Sequence, residues 1–106
     1  MRVFYRVVRT NPPTRDDFKS YLALGKLPGP NPTPRRLRAW AGVSVYDTEA
    51  VARAKASDYD LGPYVAELHI PEEAPIQAEG PGQSGHYNLY GEPEDLLRFV
   101  VSVKRV

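Results

Sequence analysis

An α+β domain with two main helices on a small mixed or antiparallel sheet is what the sequence predicts, on three observations. Runs rich in β-branched and aromatic residues recur along the chain as "RVFYRVVR", "GVSVYD", "YVAELHIP" and "RFVVSVKRV". Between them only residues 48 to 57 read as a helix-bearing crossover, and one crossover cannot organise an all-parallel sheet. The 11 prolines and 8 glycines enforce turns, so elements are short.

The first strand spans residues 2 to 9 and stops at "TNPP". A helix is expected next: Thr14 is a good N-cap, Asp16 and Asp17 suit the positive end of a helix dipole, and Gly25 is a natural terminator. Residues 26 to 36, "KLPGPNPTPRR", hold four prolines and read as a surface loop, either a binding loop or a solvated connector. The basic cluster "PRRLR" reads as a solvent-facing helix or loop. A strand at 42 to 47 leads into an alanine-rich helix, 48 to 57, capped by Asp47 or Thr48. Residues 62 to 71 form a third strand, "APIQAEG" a weaker fourth, "GEPEDLL" a short helix, and the chain ends in strand. The segment 82 to 93, "GQSGHYNLYGEP", reads as a glycine-punctuated loop.

With 106 residues the chain has room for one core and is read as a single domain, 1–106. A net charge of +1 gives no bulk attraction to nucleic acid or anionic membrane. With no cysteine and only two histidines, a metal site is not expected. No apolar run approaches a membrane span and no signal-peptide pattern opens the chain, so a cytoplasmic protein is the default expectation.

Chemistry-bearing residues interrupt the strands. Alternation leaves the first strand apolar on both faces except for Arg6, which makes it central and leaves the guanidinium in need of a carboxylate, carbonyls or an anionic ligand. Ser44 and Tyr46 share a face, as do Glu67 and His69; these are either parts of a polar stripe or one solvated face. In the 82 to 93 segment, His86 titrates near neutrality while Tyr87 and Tyr90 offer flat faces for stacking on a ring. The tyrosines serve equally well as a cover over the end of the core.

In pattern and order, "VFYRVVRT", "GVSVYDTEAVARAKA" and "YVAELHIPEEAPI" followed by a final strand resemble the compact ADP-ribosyltransferase fold, including its RES-type relatives. The resemblance implies NAD as substrate and cleavage of its glycosidic bond, by a small transferase or an NAD glycohydrolase, in a toxin-like setting. By the same resemblance Arg6 anchors the phosphate or ribose, with Ser44, Tyr46 and Thr48 around the nicotinamide end. The family's catalytic glutamate falls on Glu92 by order, or else on Glu67. Catalysis is thus expected from Arg6, Tyr46 and Glu92, and cofactor binding from Arg6, Ser44, Tyr46, Thr48, His86, Tyr87 and Tyr90. A protein is the expected acceptor or partner. The alternative is a non-catalytic interaction module that uses Trp40, the Pro-rich loop and the Tyr-bearing loop at 82 to 93 as its surface.

Overall fold

The computed structural model describes all 106 residues as six strands and three helices: β1 (Arg2–Val8), α1 (Pro34–Trp40), β2 (Val43–Tyr46), α2 (Glu49–Tyr59), β3 (Tyr64–Ile70), β4 (Gln77–Glu79), β5 (His86–Tyr90), α3 (Pro93–Arg98) and β6 (Val100–Arg105). The sheet is antiparallel throughout, in the order β4-β5-β2-β1-β3-β6. β1 is interior, as its two apolar faces require. No helix is long and apolar enough to cross a membrane.

One face of the sheet carries the larger core. Phe4, Val8, Val43, Val45, Leu68, Tyr87 and Leu89 project there and pack with Phe18 and Leu96. Phe18 comes from a single 3₁₀ turn, Arg15–Phe18, and Leu96 from α3, which lies against that turn. On the opposite face Tyr46, Ala52 and Val65 form a smaller cluster under α2. The alanines of α2 leave no bulk between helix and sheet, which is why Ala52 and Ala56 are fully enclosed. Thr48 is the N-cap of α2: its hydroxyl accepts from the Val51 amide at 3.3 Å.

Two expectations are corrected, and the helix-or-loop alternative for the basic cluster is settled. The helix expected from Thr14 to Gly25 is only the turn Arg15–Phe18, because the Asp17 carboxylate folds back to accept from the Arg9 amide (2.8 Å), the Thr10 hydroxyl (2.6 Å) and the Thr14 amide (2.9 Å). The basic cluster is helical: Pro34 sits at the start of α1 and the Thr33 hydroxyl accepts from the Arg36 amide. The segment 82 to 93 holds strand β5, in register with β2 through Tyr46↔His86 and Val43↔Leu89.

β1 and β2 are neighbours, yet they share one registered pair, Tyr5↔Tyr46, whereas β1 pairs with β3 along all seven of its residues. Beyond Tyr5 the two strands diverge, and the sheet is split along this seam. The split leaves carbonyls that a continuous ladder would have used.

Candidate functional site

The split in the sheet is where Arg6 sits. Its Nη1 donates to the Ser44 carbonyl on β2 at 2.7 Å, and its Nε donates to the Asp17 carbonyl at 2.8 Å. The side chain therefore replaces the missing ladder and pins the 3₁₀ turn to the seam. Neither bond goes to a carboxylate. Burial pulls the Arg6 guanidinium down to about 10, opposed by the nearby charge of Asp17, so it stays cationic at neutral pH.

A cleft of about 810 Å³ opens along the seam. Arg6, Ser44 and Tyr46 line its floor, Tyr21 and Leu24 one wall, and Lys55 and Tyr59 of α2, with Leu61 just beyond its end, the other. Five basic side chains (Arg6, Arg9, Lys19, Lys26, Lys55) and two acidic ones (Asp16, Asp17) face it, a net charge of +3. Both acids are engaged. Asp16 pairs with Lys19 at 2.8 Å, and that hydrogen bond holds its carboxyl below the usual range; Asp17 accepts from the three donors already described.

Next to this floor, the Nε2 of His86 lies 3.0 Å from Ser44 Oγ, and the imidazole lies 5.6 Å from the Tyr46 ring centre. Burial lowers the His86 pKa, and the charge of Lys55 adds to the effect. A neutral imidazole here either accepts a hydrogen bond from the Ser44 hydroxyl or donates one to it, which holds that hydroxyl toward His86. Burial also raises the Tyr46 pKa, with Arg6 opposing, so Tyr46 presents a neutral phenol.

The structure therefore brings together Arg6, Ser44 and Tyr46 in the cleft, with His86 bonded to Ser44 but outside the lining. Thr48 is spent on capping α2 and is not part of the cleft lining. Tyr87 corrects the stacking expectation: alternation turns it into the core, edge-on to Phe4 at 5.0 Å, with 8% of its surface exposed. The Tyr90 hydroxyl donates to the Arg38 carbonyl at 2.9 Å while the Arg38 guanidinium covers its ring at 3.7 Å, so that ring is occupied too. Glu92 is exposed at the N-cap of α3 and Glu67 is bonded to His69 on β3; neither lines the cleft.

Reading the sequence alone missed the walls. Tyr21, Lys26, Lys55 and Tyr59 reach the cleft by tertiary packing, and their only sequence signal was an aromatic or basic residue on a weakly apolar segment. No group of three His, Asp or Glu side chains is placed to hold a metal ion. No family model, no curated protein and no solved structure matches this chain.

Proposed function

We propose that the seam cleft binds NAD and that the chain is an ADP-ribosyltransferase-like, NAD-binding domain. The observation that carries this reading is the Arg6 guanidinium, which faces a cleft of net charge +3 while bonded only to carbonyls. Such a cation, desolvated and hydrogen-bonded to no carboxylate, favours an anionic ligand, and the diphosphate of a dinucleotide is one. The volume falls within the range of about 300–1,000 Å³ usual for small-molecule sites. Tyr21 with Leu24 and Tyr59 with Leu61 supply apolar walls for the flat ring ends of the dinucleotide. Ser44 and Tyr46 then stand at the nicotinamide end, as the resemblance implies.

Cleavage of NAD would break the bond between nicotinamide nitrogen and ribose carbon and leave an oxocarbenium-like centre on the ribose. Stabilising that centre needs a carboxylate beside it. Both acids of the cleft are engaged elsewhere, and Glu92 and Glu67 lie outside it. The balance of charge favours holding NAD over cleaving it, so binding is the primary activity of the reading and nicotinamide release a slow one.

Calorimetric titration with NAD, followed on the same sample by measurement of free nicotinamide, tests both halves. Binding with little release is the expected result. Absence of heat and of any shift in melting temperature up to about 1 mM NAD, a concentration that detects affinities as weak as about 4 kcal/mol, overturns the reading.

A further inference from the structure

From Phe18 to Tyr46 the sequence contains no Asp or Glu, but five basic residues: Lys19, Lys26, Arg35, Arg36 and Arg38. Against a whole-chain charge of +1, the remaining residues carry −4. The positive charge is thus gathered on one lobe, the segment 19–27 together with α1. The same lobe holds five of the ten exposed large apolar side chains: Tyr21, Leu22, Leu24, Leu27 and Leu37, with Leu27 78% exposed.

The lobe is a built platform. The Trp40 indole N–H donates to the Lys26 carbonyl at 2.9 Å, the Leu22 amide donates to the Trp40 carbonyl at 3.4 Å, and the Tyr21 and Trp40 rings stack at 4.6 Å. Arg38 ties α1 to the sheet through Glu79 at 3.1 Å. Lys19 and Arg38 have carboxylate partners; Lys26, Arg35 and Arg36 have none. Preorganised apolar side chains with an unneutralised basic rim are what a protein interface presents before its partner arrives.

We propose that this lobe docks a protein partner through an acidic segment carrying apolar anchors, and that docking closes the mouth of the seam cleft. Charge complementarity selects an acidic partner, since three cations of the rim lack a counter-charge. The leucines select a protein over a nucleic acid, which would leave Leu24 and Leu27 in water. The rings also argue against bases: Tyr21 and Trp40 stack on each other, and Lys26 and Arg36 lie over them at 5.4 and 5.7 Å from the ring centres. Base stacking would require free aromatic faces. Because Tyr21, Leu24 and Lys26 line the cleft as well as the lobe, a partner seated here and a ligand in the cleft exclude each other. Docking stands on the lobe alone; only the exclusion rests on the cleft binding NAD.

Trp40 is the one tryptophan of the chain, so its fluorescence reports directly on the lobe. The probe is an amphipathic Glu/Leu helix of about 20 residues, long enough to hold helical structure, compared with its charge-reversed Lys/Leu counterpart and with single-stranded oligo-dT. The Glu/Leu helix is expected to shift the Trp40 emission, to bind roughly tenfold more weakly when salt rises from about 50 to about 300 mM, and to be displaced by NAD. Lys26→Glu with Arg36→Glu, and separately Leu24→Ser with Leu27→Ser, should each remove binding at an unchanged melting temperature. Equal binding of both peptides, binding of oligo-dT instead, no binding of either peptide, or a concentration-dependent dimer of this chain that the leucine variant dissolves would each overturn the proposal. A Glu/Leu helix that binds in the absence of any NAD binding retains the docking surface and removes the NAD reading.

Discussion

Arg6 was legible in the sequence for a physical reason: a lone cation in a strand apolar on both faces needs partners, and they are the Asp17 and Ser44 carbonyls. Arg6→Ala is expected to weaken NAD binding about tenfold or more while costing about 1–3 kcal/mol of stability, since both carbonyls lose their donor. Calorimetry at a temperature below the lowered melting point separates the two effects. A variant that loses stability but binds NAD unchanged would assign Arg6 a purely structural role. His86 gives a pH dependence of definite sign. Burial, with Lys55 adding, lowers its pKa below the ordinary 6.5, so the unfolded chain binds more protons than the folded one as the pH falls through 6.5. Stability should therefore rise as the pH is raised toward and through 6.5, and His86→Asn should flatten that slope in denaturant titrations. Tyr87 shows where residue-level reading failed. Its chemistry suggests stacking on a ligand, but alternation across "HYNLY" puts it on the same face as Leu89, and burial of that face decides the matter.

At the scale of elements, the glycines around β5 were read as loop punctuation when one of them, Gly85, turns the chain into a strand. Gly85 has φ of 72°, and a Cβ added there would lie 2.1 Å from Asp47 Oδ1. Gly85 turns the chain into β5, and its carbonyl accepts from the Asp47 amide at 3.1 Å, which extends the β2–β5 pairing that puts His86 opposite Tyr46. Gly85→Ala is expected to cost about 2–4 kcal/mol, combining the left-handed backbone with the clash, and to displace His86 from Ser44. Thermal melts and the His86 titration by NMR check both parts, and a melting temperature within a degree of the parent would contradict the packing argument. The cap of α2 gives the contrasting case. Thr48→Ala should cost about 1 kcal/mol and leave NAD affinity unchanged, because the hydroxyl is spent on the Val51 amide. A loss of affinity would return Thr48 to the site. Strands and α2 were legible because period and capping are local; the helix expected at 14–25 was not, because Phe18 joins the core while Tyr21 stacks on Trp40. No single helical face serves both neighbours.

At the scale of the molecule, the sheet is two halves joined weakly. β4, β5 and β2 form one half and β1, β3 and β6 the other, with Tyr5↔Tyr46 and the bond from Arg6 to the Ser44 carbonyl crossing between them. Strand order and the split are long-range properties, so nothing in the sequence revealed them, although they create the cleft. Side chains of both halves share the larger core, so packing and the Arg6 side chain hold the seam where few backbone bonds cross it, and its backbone amides are expected to open more readily than those within either half. A ligand bound across the seam by Arg6, Ser44 and the tyrosine walls touches both halves and must stabilise their union by RT ln(1 + [L]/Kd), about 2.7 kcal/mol at a hundredfold excess over Kd. Amide hydrogen exchange should accordingly slow for residues 6–8 and 43–44 on adding NAD, with little change in β4 or β6. Uniform slowing across the chain would mean that the halves already open together as one unit. Slowing confined to α1 would place the ligand on the basic lobe instead of in the cleft.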